Sequence, residues 1–147
     1  TINAVINAFQ NEYVWLSNFA PAEMDLDGIK YPSVEHAYNS AKSDNTEWKA
    51  FCANANNKPG KVKRKSRKIR IREDWEQIKL PVMEECLRKK FLAEPYKTKL
   101  LETGDQFIQE GNSWNDKFWG VCLKTNGGEN NLGKLIMKIR DSLVLKL

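Results

Sequence analysis

The stretch that decides the fold runs from Tyr31 to Lys42 and reads YPSVEHAYNSAK. Ser33 follows Tyr31-Pro32 and is a residue type that favours the N-cap of a helix, where its side-chain oxygen accepts a backbone N–H. The apolar residues that follow are spaced by three or four positions, as on one face of an α-helix. They are Val34, Ala37, Tyr38 and Ala41. The stretch predicts a helix over Val34–Lys42.

Short strands are predicted on the N-terminal side of this helix. Met24–Leu26 and Ile29–Tyr31 flank Asp27-Gly28, a dipeptide typical of two-residue hairpin turns. A further strand is predicted over Ala4–Phe9, and Phe118–Leu123 is predicted as a buried strand or extended segment.

Two further helices are predicted by their start signals. Asp44 with Glu47 three residues later marks one start, and Asp74 with Gln77 marks another ahead of Trp75–Phe91. In the first of these helices, Trp48, Phe51 and Cys52 are predicted to face inward. Pro81 falls inside the second, so we expect it to kink that helix or to mark its true beginning.

Two helices are predicted near the C-terminal end. The first runs from Pro95 and stops at Gly104, a residue type common just past helix ends. The second is predicted by one apolar stripe. The stripe consists of Leu132, Leu135, Ile136, Ile139 and Leu143. The elements together predict a helix-rich α+β fold with a small, mostly antiparallel sheet.

Length and composition are those of one globular domain. At 147 residues, with 41% hydrophobic and 29% charged residues, we expect a single domain over residues 1–147. The mean hydropathy is −0.63 and no long apolar run is present, which argues against a membrane span. Thr1–Val5 shows no basic stretch followed by an apolar one, so we expect no secretory signal and a cytoplasmic location.

The metal-ligating residue types are few and scattered. The sequence holds three cysteines, Cys52, Cys86 and Cys122, and one histidine, His36, with no CxxC pair. Neither a metal site nor a cofactor is therefore expected. Each cysteine has apolar neighbours, and no second imidazole could activate a thiol, so a catalytic cysteine is the weaker hypothesis.

The net charge of +5 is concentrated in residues 58–72. The basic residues there are Lys58, Lys61, Lys63, Arg64, Lys65, Arg67, Lys68, Arg70 and Arg72. This stretch is either a solvated face, a wall that binds phosphate, or a footprint for nucleic acid. It contains no aromatic residue that could stack on a base.

One edge of the Ser33-capped helix carries groups suited to chemistry. At about 100° per residue, Glu35, Asn39 and Lys42 share this edge with Tyr38 beside the apolar stripe. The edge could line a pocket. Alternatively, a Glu near the start and a Lys near the end of a helix are what the helix dipole favours on any surface.

Two other places could contribute to a site. In Gly111–Gly120, Asp116 lies between Trp114 and Trp119, an arrangement that suits a flat heterocycle attached to a sugar, or else a loop turn with Asp116 as its cap. Lys79 is expected to be partly desolvated on its helix. It would extend to solvent or pair with a phosphate.

A series of segments occurs in order along nearly the whole chain. They are Trp15–Phe19, Tyr31–Tyr38 with Ala41-Lys42, Arg72–Trp75 with Lys79 and Val82-Met83, Leu87–Phe91, Gly111-Asn112 with Asp116 and Phe118–Gly120, and Asn131–Met137. These segments resemble the successive motifs of the YbiA-like (NADAR) family. The basic stretch is denser than the family pattern, and Pro81 departs from it.

The resemblance implies a hydrolase that cleaves N-glycosidic bonds. Family substrates are phosphoribosylated intermediates of riboflavin biosynthesis and, in some members, ADP-ribose on modified nucleic-acid bases. Carried over by motif, Glu35 is the expected catalytic carboxylate, with Asp116 next. The expected substrate-binding residues are Asn18, Phe19, Tyr38, Lys42, Trp75, Lys79, Trp119 and Asn131.

The chemistry of the bond explains these residue types. Breaking a ribosyl C–N bond builds positive charge on the sugar and negative charge on the leaving base. Glu35 is expected to stabilise the sugar and to orient or deprotonate water, while Asp116 or Lys79 donates to the base. The alternative is a non-catalytic module that binds ADP-ribose or nucleic acid through residues 58–72.

Overall fold

The computed structural model describes residues 5–145 of the chain. The helices are α1 (Val34–Ser40), α2 (Thr46–Ala53), α3 (Pro59–Ser66), α4 (Trp75–Phe91), α5 (Tyr96–Glu102) and α6 (Asn131–Leu145), with a 3-10 helix at Asn11–Leu16. The strands are β1 (Val5–Ile6), β2 (Pro21–Leu26), β3 (Ile29–Ser33), β4 (Phe107–Ile108), β5 (Gly111–Asn112) and β6 (Val121–Cys122). Ala4, the first residue of a predicted strand, lies outside the described residues.

The chain forms two compact units. One is Asn18–Lys90, and the other combines the N-terminal stretch up to Ser17 with the residues from Phe91 onward. The helix-rich α+β fold with small sheets is confirmed. That residues 1–147 form one domain stays a prediction.

The first unit begins with the predicted hairpin. β2 and β3 pair antiparallel, with Met24 opposite Tyr31 and Leu26 opposite Ile29. The turn between them has positive φ at both central residues, 51° at Asp27 and 81° at Gly28, as tight hairpin turns with the sheet's own twist require. β3 then leads directly into α1.

α1 is buried on all sides. Ser33 Oγ accepts the backbone N–H of His36 at 3.3 Å, which confirms the predicted cap. All seven residues of Val34–Ser40 are buried, because the hairpin, α2 and α3 all contact this helix. The helix ends at Ser40 rather than at Lys42. Its polar residues are therefore in the interior, which its apolar periodicity did not predict.

The caps of the next helices differ from the predictions. Asn45, not Asp44, caps α2, since its Oδ1 accepts the N–H of Trp48 at 2.9 Å. α3 was not predicted as a helix, and it begins with Pro59 at its first position, where proline is tolerated. α4 starts at Trp75 and runs through Pro81, so Pro81 does not mark its beginning.

The second unit contains two short parallel strand pairs. β1 pairs with β4, and β5 pairs with β6. The antiparallel β2–β3 hairpin is the longest strand pair among the described residues, and each parallel pair joins only two residues of each strand. The strand predicted at 4–9 is shorter than expected, as β1 contains two residues. Of the segment 118–123, predicted as a buried strand or extended segment, only Val121–Cys122 form a strand.

Helices α5 and α6 complete this unit. α5 is followed by Gly104, whose φ of 63° fits the predicted stop. α6 buries Leu132, Ile136, Ile139 and Leu143, as its apolar stripe predicted. No helix within residues 5–145 is long and apolar enough to cross a bilayer.

Candidate active site

Glu35 is a buried carboxylate in the first turn of α1. Its backbone N–H donates to the carbonyl oxygen of Asn18 at 3.1 Å, and the residue is 8% exposed. One turn later, Asn39 Nδ2 donates to the Glu35 carboxylate oxygen Oε1 at 3.1 Å and to its main-chain oxygen at 2.8 Å. The carboxylate is thus held by one neutral donor.

Burial raises the pKa of Glu35 above the usual glutamate value. The charge of Lys63, the Asn39 hydrogen bond and the charge of Lys42 oppose this effect, in that order. No salt bridge joins Glu35 to a basic side chain in the described part of the chain. A carboxylate that is desolvated yet lies in the field of two lysines is suited to proton transfer.

Lys42 is seated on two aromatic rings. Its Nζ lies 5.5 Å from the centroid of the Tyr38 ring and 6.0 Å from that of Trp75, and it donates to Ser66 Oγ at 3.2 Å. The two ring centroids are 5.1 Å apart. Burial lowers the pKa of Lys42, while the nearby Glu35 carboxylate acts in the opposite direction.

Three residues of α4 that lie four positions apart border this region. They are Trp75, Lys79 and Met83. Trp75 contacts Tyr38, and Met83 Sδ receives a weak hydrogen bond from Asn18 Nδ2 at 3.7 Å. Lys79 lies between them, with Nζ 2.7 Å from Glu76 Oε2. The Lys79 side chain is only 17% exposed, so the predicted partial desolvation is confirmed.

Two buried amide oxygens in this region have no hydrogen-bond partner within residues 5–145. They are Asn18 Oδ1 and Asn39 Oδ1. Asn39 is 1% exposed, and an unsatisfied buried acceptor costs roughly 1–3 kcal/mol. Asn39 was not among the predicted site residues, although its place on the edge shared by Glu35 and Lys42 was a signal for it.

The basic helix α3 contacts aromatic residues from other elements. Lys63 Nζ lies 5.9 Å from the ring centroid of Phe19, while Lys61 and Lys65 lie 5.6 and 4.5 Å from that of Phe51. Phe19 is 43% exposed. The aromatic rings that the basic stretch itself lacks are therefore supplied by Phe19 and α2.

His36 has a structural role. Its Nε2 lies 2.7 Å from the carbonyl oxygen of Asn57, and its Nδ1 lies 2.6 Å from Ser33 Oγ. Because a carbonyl only accepts, Nε2 carries a proton and donates to Asn57, and the Ser33 hydroxyl lies within hydrogen-bond distance of Nδ1. Both ring nitrogens of His36 therefore have partners within the fold.

Asp116, in the second unit, closes a turn. Its Oδ1 accepts the N–H groups of Phe118 at 3.2 Å and Trp119 at 3.0 Å. Asn112 bonds the backbone of Asp116 from both sides, accepting its N–H at 3.0 Å and donating to its carbonyl at 2.9 Å. This is the cap arrangement that the sequence left open as an alternative, and the catalytic role of Asp116 stays a prediction.

Trp119 and Asn131 belong to the same turn. The Trp119 ring is half-buried and meets Phe118 edge to face at 4.8 Å. Asn131 Nδ2 donates to the carbonyl oxygen of Phe118 at 2.9 Å. Gly120 is required here, since a Cβ at this position would collide with Glu110. That Trp119 and Asn131 contact the substrate stays a prediction.

The predicted site residues thus fall into two sets. The set in Asn18–Lys90, called the Glu35 cluster below, consists of Glu35, Asn18, Phe19, Tyr38, Lys42, Trp75 and Lys79, to which the structure adds Asn39 and Lys63. The set in the second unit, called the Asp116 turn, consists of Asp116, Trp119 and Asn131.

The three cysteines differ in their electrostatic surroundings. Burial raises the pKa of Cys52 and of Cys86 to about 12, which keeps both as thiols at neutral pH, whereas hydrogen bonds, with that of the Lys124 backbone first, lower the pKa of Cys122. Within residues 5–145 there is no group of three or more histidine, cysteine or acidic residues that could hold a metal ion.

The chain belongs to the NADAR domain family, which matches residues 6–144. It is 32% identical to an N-glycosidase of Nostoc punctiforme, over 89% of this chain and 86% of that protein. It is 34% identical to a riboflavin biosynthesis protein of Vibrio vulnificus over 88% of this chain, but it spans only 35% of that protein.

A solved structure shares the fold. The NMR structure of the Escherichia coli protein YbiA matches 99% of this chain and 88% of that chain, with a TM-score of 0.85 and 28% sequence identity. The N-glycosidase YbiA of Escherichia coli is 27% identical over 98% of this chain and 91% of that protein. The predicted family is confirmed.

Proposed function

We propose that this chain is an N-glycosidase that hydrolyses the N-glycosidic bond of a phosphoribosylated heterocycle. The observation that carries the proposal is the buried Glu35 carboxylate, bonded to Asn39 and influenced by Lys63 and Lys42. Relatives named as N-glycosidases and as a riboflavin biosynthesis protein support it. Intermediates of riboflavin biosynthesis and ADP-ribosylated bases are the two candidate substrate classes.

In the proposed reaction, ionised Glu35 faces the anomeric carbon of the sugar. The C1′–N bond breaks, and its electron pair leaves with the heterocycle nitrogen. Water forms the new O–C1′ bond and gives a proton to Glu35, while the heterocycle takes up a proton. The products are the free base and the reducing sugar. Lys79 and Asp116 are the candidates for the group that protonates the base.

Acid–base catalysis alone is too small for this reaction. A positioned acid or base contributes about 10²–10⁴-fold, whereas enzymes lower barriers by about 8 kcal/mol or more. The remainder must come from positioning and from fixed charges. Lys42, held by the Tyr38 and Trp75 rings and by Ser66, is a cation of this kind.

The aromatic residues of the Glu35 cluster have different parts in this proposal. Tyr38 and Trp75 are buried against each other and support the Lys42 ammonium. Phe19 is exposed over 43% of its surface and lies next to Lys63, and in this proposal its ring stacks on the heterocycle. Lys42 and Lys63 would bind the phosphate of the substrate.

A second candidate function is binding without catalysis. The observation that favours it is the basic face of α3, where Lys61 and Lys65 lie over the Phe51 ring. Such a face suits ADP-ribose or nucleic acid and needs no carboxylate.

A cytoplasmic location belongs to the main proposal, since the three free cysteines fit a reducing compartment.

Product analysis distinguishes the two functions. The protein is incubated with nicotinamide mononucleotide, ribosylaminopyrimidine phosphates, ADP-ribose and ADP-ribosylated DNA, and free base and reducing sugar are measured by chromatography. Release from at least one of these supports the glycosidase. Binding without release, with an affinity for DNA that falls steeply with salt, would support the binding module instead.

A further inference from the structure

We infer that Asn39 makes the site selective for ribose over 2-deoxyribose, because its Oδ1 accepts a hydrogen bond from the 2′-hydroxyl of the sugar. The inference rests on the proposed function, in which Glu35 faces the anomeric carbon. It deepens that function by assigning a specificity-determining residue to the sugar.

The orientation of the Asn39 amide follows from its partners. The atom that meets Glu35 contacts two acceptors, the main-chain oxygen at 2.8 Å and carboxylate Oε1 at 3.1 Å. Only the NH2 group can donate to both, since a turned amide would place oxygen against oxygen. The other end of the amide is therefore the acceptor Oδ1.

This acceptor needs a donor from outside the described fold. Asn39 is 1% exposed, and Oδ1 has no hydrogen-bond partner among the described residues. Buried polar atoms are nearly always paired, and an orphan of this kind calls for a donor such as a ligand group. A sugar hydroxyl supplies one neutral O–H donor.

The position beside Glu35 selects the hydroxyl. Oδ1 and Nδ2 of Asn39 are bonded to the same carbon atom. Because Nδ2 donates to the Glu35 carboxylate, Oδ1 lies close to that carboxylate too. If that carboxylate faces C1′, the two adjacent ring positions are O4′, which has no hydrogen to donate, and C2′, whose hydroxyl can donate. Hydrogen bonds to the 2-hydroxyl strengthen in glycosidase transition states, so the contact would favour turnover as well as binding.

Asn39 is also a positioning residue for Glu35. Its Nδ2 holds the carboxylate rotamer and lowers the pKa of Glu35. The two functions belong to two different atoms of the same side chain. Substitutions can therefore separate them.

The test compares matched substrates on three variants. A nicotinamide ribonucleotide and its 2′-deoxy analogue, or the corresponding pair of whichever heterocycle is hydrolysed, are assayed for kcat/KM. Because the 2′-deoxy bond is intrinsically more labile, the spontaneous rate of each compound is subtracted and used to normalise. The wild type is expected to prefer the ribo compound by at least about tenfold.

Asn39→Ala is expected to reduce this preference to near unity. Asn39→Asp keeps an acceptor oxygen but places a second carboxyl against Glu35, and two adjacent carboxyls raise the pKa of one of them. It should retain the preference while kcat falls and the acid limb of the rate profile moves to higher pH. Asn57→Ala is the control, because Asn57 is also buried but donates to the carbonyl oxygen of Phe51. It should leave the preference unchanged.

The outcomes separate this inference from the proposed function. Hydrolysis with equal preference for both sugars, or an unchanged preference in folded Asn39→Ala, overturns the inference and leaves the glycosidase standing. If the wild type hydrolyses nothing, the proposed function fails. Calorimetry with ribose 5-phosphate and 2-deoxyribose 5-phosphate on wild type and Asn39→Ala then decides. Ribose 5-phosphate should bind more tightly than its deoxy analogue to the wild type but not to the variant, and equal affinities in the wild type overturn the inference too.

Discussion

Lys63 on α3 acts on the Glu35 carboxylate of α1 more strongly than any other charged residue. It is the first of the charges that lower the pKa of Glu35 against the effect of burial. Glu35 was predicted to be catalytic, whereas the helix that carries Lys63, α3, was not predicted. The relationship gives the site a pH dependence that can be measured.

Lys63→Gln should shift the loss of activity to higher pH. The Glu35 pKa is already raised by burial, and removing the Lys63 charge raises it further. Since Glu35 must be ionised to act, activity on acidification should fall at a higher pH than in the wild type. The measurement is the pH profile of kcat/KM. Lys61→Gln, whose ammonium lies over Phe51, is the control, and an identical shift in both variants would refute the role of Lys63.

Glu35→Gln should stabilise the protein at neutral pH. Because the folded-state pKa is raised, the stability associated with Glu35 is fully present below the unfolded-state pKa and is lost as pH rises through the folded-state value. The variant keeps the Asn39 hydrogen bond but has no buried charge. Its melting temperature should exceed that of the wild type at pH 7, with a smaller difference at pH 4. A variant less stable than the wild type at pH 7 would contradict this.

Lys42→Gln should weaken the binding of phosphorylated substrates. A hydrogen bond to a charged group is worth about 1.5–3 kcal/mol, so KM for a nucleotide should rise by about tenfold or more. KM for the matching nucleoside should change little. The assay is run above the acid limb of both pH profiles but below the pH at which Lys42 loses its proton, because Lys42 lowers the Glu35 pKa and burial lowers the pKa of Lys42 itself. Equal effects on both substrates would rule out a phosphate contact, and Lys68→Gln is the exposed control.

The side-chain oxygen of Asp116 should stabilise the turn. Asp116→Ala removes the acceptor for Phe118 and Trp119 and should cost about 1 kcal/mol of stability, as loss of a cap does. Asp116→Asn retains that acceptor and should melt as the wild type does. Wild-type stability in Asp116→Ala would contradict the cap. A large loss of turnover in stable Asp116→Asn would show that the charge itself is needed.

Local signals were sufficient for the elements with clear caps and stripes. α1 was predicted because Ser33 and the apolar spacing agree, and α6 because its stripe is regular. Neither signal reports what covers a helix. The complete burial of α1, and hence of Glu35, depends on the hairpin, α2 and α3 surrounding it.

Other features could not be obtained from local patterns. α3 has one buried apolar residue, Val62, so it offers no stripe. The parallel pairs β1–β4 and β5–β6 join segments that lie apart in sequence. Pro81 was expected to kink α4 or to mark its beginning, and the helix begins six residues before it at Trp75, while the kink stays a prediction. Asn39 Oδ1 has no partner among the described residues because the amide is oriented by Nδ2, which donates to Glu35, a tertiary arrangement that the sequence pattern does not report.

The most direct measurement is the single-turnover rate of base release by wild type and Glu35→Gln under saturating enzyme. Glutamine preserves the shape and the acceptor for Asn39 and removes only the charge. A decrease of about 10²–10⁴-fold, with a folded protein and bound substrate, is the predicted result. Unchanged base release by folded Glu35→Gln would contradict the assignment of Glu35 as the catalytic carboxylate.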